Sequence, residues 1–100
     1  MEISKLQEQI DEFNKAWEQK RGYKGSEQIC FNHLIEEVGE LSRQFVNKDT
    51  GRDKCASAEI ENAIGDIFIH LIDLANKRGL DIEKTVLKIL EKDTPESRLG

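Results

Sequence analysis

Three carboxylates crowd one stretch of the chain. Glu36, Glu37 and Glu40 lie in His33-Leu34-Ile35-Glu36-Glu37-Val38-Gly39-Glu40. On a helix Glu36 and Glu40 are i and i+4, and Glu37 and Glu40 are i and i+3, so all three share one side. Like charges at that spacing repel, and more strongly where the local dielectric falls. A divalent cation turns the repulsion into attraction. Oxygen-only ligands favour Mg²⁺, or Mn²⁺ as a substitute, over zinc. A solvated acidic face has the same spacing, so this pattern alone leaves both readings open.

A second group follows in Glu59-Ile60-Glu61-Asn62-Ala63-Ile64-Gly65-Asp66. Glu59, Asn62 or Ala63, and Asp66 fall on one helical face. Asp66 sits inside Ile64-Gly65-Asp66-Ile67-Phe68-Ile69, where an unpaired buried carboxylate is costly. It is either a ligand or a core aspartate bonded to a neighbouring helix or to His70. Gly65 weakens its helix by about 1 kcal/mol relative to alanine. Close approach of another helix or of a ligand would account for it.

The elements that must carry these residues are helices. The chain has 100 residues, 37% apolar and 35% charged, enough for one domain spanning 1–100 with a charged surface. Pro95 is the sole proline, and neither a period-two run nor an Asn-Gly or Asp-Gly hairpin turn signals strands. Helix one is expected over Ile3–Lys20, with Ile3, Leu6, Ile10, Phe13 and Trp17 as its core stripe. Helix two begins after Ser26 as N-cap and fades in Asn47–Gly51. Helix three is expected from Ser57 to Arg78, apolar enough to be buried on more than one side. Helix four follows Asp81 as N-cap and stops at Thr94-Pro95, leaving a loose tail from about residue 94. Short loops make this an all-α, four-helix antiparallel bundle. So small a core is marginal alone, which points to a homodimer or homotetramer.

Charge and cysteine usage narrow the function. A net charge of −5 without a basic stripe argues against a nucleic-acid polymer as partner. No apolar run approaches the ~18–20 residues of a membrane span, and MEISKLQEQIDEF is not a secretory signal. Cys30 and Cys55 form no Cys-x-x-Cys and suit free thiols in a reducing cytoplasm.

HLIEEVGEL, followed by a helix ending in GDIFIHLIDLANKRGLDIEKTV, resembles the MazG-like all-α nucleoside triphosphate pyrophosphohydrolases over Trp17 to Lys92. That family carries Glu-Glu-x-x-Glu on one helix and Glu-x-x-Asp on the next. Glu36-Glu37-x-x-Glu40 matches the first motif in full. The second departs from it: Ala63 stands where the family has glutamate, and Asn62 or Glu59 is the substitute the sequence offers. The resemblance implies Mg²⁺ held by Glu37, Glu40 and Asp66, with Asn62 and Glu59 as weaker ligands. Glu36 or Glu37 would orient or deprotonate the attacking water. The α–β phosphoanhydride of a nucleoside triphosphate would be cleaved to monophosphate and pyrophosphate, in the manner of nucleotide-pool housekeeping.

Substrate contacts are expected from Trp17, which stacks on a base or closes the helix-one stripe, and from His33 and His70. Among the basic residues, Lys54, Lys88, Lys92 and Arg98 are either phosphate contacts, with Lys88 foremost, or plain surface charges. A di-iron bundle needs Glu-x-x-His on two helices, and the residues three before His33 and His70 are Cys30 and Ile67. The remaining alternative is a non-catalytic helical binding or oligomerisation module derived from the same family.

Overall fold

The computed structural model describes residues 2–50 and 57–99. Its helices in chain order are α1 (Ile3–Arg21), α2 (Glu27–Thr50), α3 (Ser57–Lys77), α4 (Ile82–Lys92) and α5 (Pro95–Leu99). Among the described residues there is no strand, so the all-α expectation holds.

Local chemistry sets the helix ends. Gly22 closes α1 at φ 74°, donating its N–H to Glu18 O and Gln19 O. Ser26 Oγ accepts the Ile29 N–H at 3.1 Å and opens α2. Gly79, at φ 66°, turns the chain after α3 while the Leu80 N–H bonds back to Ala75 O at 2.9 Å. Asp81 then caps α4 by accepting the Lys84 N–H at 2.9 Å. Two boundaries differ from the sequence expectation. The polar stretch at the end of α2 stays helical through Thr50, whose hydroxyl donates to Val46 O at 2.7 Å. The expected loose tail contains the single-turn α5, because Thr94 and Ser97 exchange backbone-to-side-chain hydrogen bonds at 3.0 and 3.1 Å around Pro95.

Most packing is between α2 and α3, which run antiparallel: Cys30 meets His70 and Asp73, while Gln44 sits with Glu59 and Asn62. Helix α1 lies on the later part of α3, and α4 touches α1. The α1 attachment is polar. Gln7, 8% exposed, donates from Nε2 to Asn76 Oδ1 at 3.1 Å and to Leu80 O at 3.0 Å. Its Oε1 accepts the Ile82 N–H at 3.0 Å, and Asn76 Nδ2 donates to Gln7 O at 3.1 Å. One glutamine thus ties α1 to the end of α3 and to the start of α4.

The buried apolar set among the described residues is short: Ile10, Cys30, Leu34, Ala63, Ile72 and Ala75. This corrects the α1 stripe. Ile10 is buried, but Phe13 is 64% exposed and Trp17 40% exposed, because α1 rolls Gln7 and Ile10 toward α3. It also corrects α3, whose Ile64, Phe68 and Leu71 are exposed in the single chain. Gly65 admits no close neighbour either: a Cβ built there meets nothing within 4 Å. The chain's accessible surface is 8080 Å², against roughly 5,800 Å² for a monomer of this mass. Its radius of gyration is 16.4 Å, against about 13 Å for a compact 100-residue domain.

The glutamine clamp makes a direct prediction. Gln7→Ala strands the Ile82 N–H, the Leu80 carbonyl and Asn76 Oδ1, while Asn76 Nδ2 keeps its bond to the backbone carbonyl of residue 7. It should lower the unfolding free energy by about 1–3 kcal/mol, read by urea denaturation at fixed protein concentration.

Candidate functional site

The two acidic groups face each other across the α2–α3 seam. Glu37, Glu40 and Gln44 from α2 line a recess of about 120 Å³ with Glu59, Asn62, Ala63 and Asp66 from α3. The antiparallel pairing does this by opposing the middle and end of α2 to the start of α3. Glu37 and Asp66 are half-buried, while Glu40, Glu59 and Asn62 are exposed and Ala63 is buried. Glu36 is exposed and does not line the recess. The helix turns it about 100° from Glu37, onto the outer side.

A second cavity, of about 330 Å³, adjoins the first. Its walls include Phe13, Trp17 and Tyr23, with His33 and His70 beyond them. Asp66 lines both cavities. Trp17 and Tyr23 meet edge to face at 5.6 Å between ring centroids, and the Arg21 guanidinium carbon lies 5.2 Å from the Trp17 centroid. The His33 and His70 rings meet edge to face at 5.7 Å. Trp17 is therefore a wall of a cavity and not the end of a core stripe. His33 and His70 are brought to the same wall. Lys88 and Lys92 are exposed on α4 and line neither cavity, whereas Lys54 and Cys55 lie outside the described residues.

On the wall of the aromatic cavity the three long helices are joined by charge. Lys77 Nζ lies 3.1 Å from Glu18 Oε1 of α1 and 3.1 Å from Asp73 Oδ1 of its own helix. Burial works to lower the Lys77 ammonium, but the hydrogen bonds and charges of Asp73 and Glu18 outweigh it and raise it above its ordinary value. The Cys30 thiol of α2 donates to His70 O at 3.1 Å and lies 3.4 Å from Asp73 Oδ2. Burial, and then the Asp73 charge, push this thiol up to about 12. At neutral pH the Cys30 thiol is thereby held protonated, the weakly nucleophilic form.

The donor set suits a hard divalent cation. Every polar group on the acidic recess offers oxygen, and Gln44 Oε1 is buried with no hydrogen-bond partner. Among the described residues, no three His, Cys, Asp or Glu side chains stand close enough together to hold an ion as they are placed. Convergence requires rotation of side chains, which is cheap for the exposed Glu40 and Glu59. Gln44 is absent from the motif-based expectation, yet its spacing points to it. Positions 37, 40 and 44 continue one i, i+3, i+7 face. Asn14 is the other unexpected residue. Its Nδ2 is buried without a partner and it lines the aromatic cavity. Nothing in the apolar stripe of α1 marks it, because it lies beside that stripe.

The family model for the MazG nucleotide pyrophosphohydrolase domain matches residues 26–95. This chain belongs to that family. The matched region holds both walls of the acidic recess, and α1 with its Trp17 wall lies before it. No curated protein and no solved structure matches the chain. Among the described residues of this MazG-family chain, no helix is long and apolar enough to cross a membrane.

The thiol provides a test of this geometry. Because Cys30 is sealed against α3 and held protonated, it should resist iodoacetamide at pH 8 in a Cys55→Ser background, and label only on denaturation. Mass spectrometry of the native and urea-treated protein reads this. The linkage has a definite sign: the stability contributed by the raised thiol is present below about pH 9 and is lost as pH climbs toward 12.

Proposed function

We propose that this MazG-family chain is a Mg²⁺-dependent nucleoside triphosphate pyrophosphohydrolase, with Mn²⁺ as a substitute ion. It adds water across the α–β phosphoanhydride and releases a nucleoside monophosphate and pyrophosphate. The observation that carries this reading is the place of Asp66, shared between an all-oxygen recess and an aromatic cavity. A nucleotide needs both environments within one molecule's length.

Each residue has a task in this reading. Glu37, Glu40 and Asp66 hold the cation, with Glu59 and Asn62 beside them. When bound, the ion offsets phosphate charge and acidifies water, which is how an acidic chain takes a polyanion. Glu37 is half-buried on the recess and accepts the proton of the attacking water. Glu36, outside the recess, has no such access. Trp17 offers its ring to the base, Asn14 Nδ2 donates to an acceptor on the nucleoside, and His33 and His70 close the far wall. Ala63 also suits the alternative of a non-catalytic module, and the assay below separates the two.

The uncovered apolar faces support assembly as a homodimer or homotetramer. Ile64, Phe68 and Leu71 of α3 are exposed, and so are Leu87 and Leu90 of α4. The excess surface over a compact monomer is of the size that obligate interfaces bury, roughly 2,000 Å² or more. A reducing cytoplasm is the compartment proposed, in keeping with a free, buried Cys30.

The deciding experiment is product analysis with a panel of nucleoside triphosphates, with and without Mg²⁺, separating pyrophosphate from orthophosphate. The expected products are monophosphate and pyrophosphate. Glu40→Ala and Asp66→Ala should each lower kcat by about a thousandfold, since each removes part of a cation worth several kcal/mol to the transition state. Trp17→Ala should raise KM about tenfold and change kcat little, the worth of one stacked base. Absence of turnover with every nucleotide and ion would leave the binding-module reading. Sedimentation equilibrium should give a mass at least twice 11.5 kDa. A monomer at micromolar concentration would refute assembly.

A further inference from the structure

One ion pair stands between two cavities. The aromatic cavity, of about 330 Å³, and a polar cavity of about 470 Å³ have Glu18, Gly25, Asp73 and Lys77 in common. Trp17 and Glu18 are consecutive on α1, and both line the aromatic cavity. The side chains of Glu18, Asp73 and Lys77 are only 15–18% exposed, so a hydrogen bond made to them is weakened little by water. Gly25 leaves the pair its room. A Cβ at that position would stand 3.2 Å from Glu18 Oε1 and 3.6 Å from Lys77 Cε.

A count of donors and acceptors shows what the pair leaves over. The Lys77 ammonium has three N–H donors. Glu18 Oε1 and Asp73 Oδ1 accept two of them, each at 3.1 Å. Among the described residues no group accepts the third, and none donates to Glu18 Oε2. Asp73 Oδ2 lies 3.4 Å from the Cys30 thiol. One charged donor and one charged acceptor remain, on neighbouring groups of one cavity wall. Their complement is a ring N–H beside a carbonyl, the lactam edge of uracil, thymine and guanine. Cytosine and adenine place a ring-nitrogen lone pair where that N–H would be, and a carboxylate repels it.

We propose that the Glu18–Lys77 pair selects nucleotides with a lactam base, Glu18 accepting the ring N–H and Lys77 donating to the adjacent carbonyl. This rests on the aromatic cavity being the nucleoside site of the proposed pyrophosphohydrolase. A site built to pair a substrate N–H rejects the analogue without it, because its own polar groups are then left unpaired. One hydrogen bond to a charged group is worth about 10- to 100-fold in affinity.

The test is binding of free nucleosides to the full chain without metal, read as quenching of Trp17, the sole tryptophan. Uridine should bind at least tenfold more tightly than cytidine, and guanosine than adenosine. Glu18→Gln keeps an oxygen for Lys77 and replaces the other acceptor with an N–H₂ donor. It should weaken uridine about tenfold and strengthen cytidine, a reversal that simple loosening of α1 would not produce. Equal binding of uridine and cytidine by the wild type overturns the inference, and so does an unchanged ranking in Glu18→Gln. If Glu18→Gln does not fold, 3-methyluridine decides with the wild type: binding as weak as that of cytidine supports the pairing, and binding equal to that of uridine overturns it. If no nucleoside quenches Trp17, the cavity takes no base and the inference falls. Release of pyrophosphate in the product assay would then still stand, since it is measured independently of base binding.

Discussion

The last two turns of α3 hold the structure together. Asp73, Asn76 and Lys77 are half-buried polar residues, and each must find partners on another helix. Asn76 finds Gln7, Lys77 finds Glu18, and Asp73 receives Lys77 and faces the Cys30 thiol. Direction is what these contacts add. Apolar burial would allow α1 to slide or roll on α3. Four hydrogen bonds through Gln7, joining α1 to Asn76, Leu80 and Ile82, leave one register. That register sets Trp17 and Asn14 on the wall of the aromatic cavity. A shift of one residue would turn both away by about 100°.

The same constraint explains why the apolar pattern misled at α1. The stripe Ile3, Leu6, Ile10, Phe13 and Trp17 is clean by period, and period alone makes it the buried face. Burial instead follows Gln7 and Ile10, since an amide that satisfies its neighbours completely competes with apolar contact for the seam. Caps and turns were legible because each follows local chemistry: Gly22, Ser26, Gly79 and Asp81 act where their residue types suggest. Thr94 with Ser97 was also legible in principle, but a single capped turn after a proline has no apolar period to announce it.

In the site, spacing identified the residues of the recess better than it identified the residues around it. Glu37, Glu40, Glu59, Asn62 and Asp66 meet because two helices with carboxylates on their facing sides pack antiparallel. Glu36 shows the limit of a motif: adjacency in sequence puts it on a different side of α2 from Glu37. Gln44 and Asn14 were invisible for another reason. Amides carry no charge signature, and only a structure shows that one of their atoms is buried without a partner.

Asp66 belongs to both cavities, and this divides the chain into parts that are free to vary and parts that are not. Under the proposed function, a substitution at Asp66 would disturb cation and nucleoside at once, so the two sides cannot be retuned through it. Phe13, Asn14 and Trp17 line the aromatic cavity and not the acidic recess, on a helix that precedes the matched family region. Changes along α1 therefore reshape what the pocket admits while the acidic recess stays intact. Under the proposed function, the α2–α3 pair carries the hydrolytic residues and α1 carries one wall of the selecting cavity, so substrate preference has a short, local route through nineteen residues of one helix.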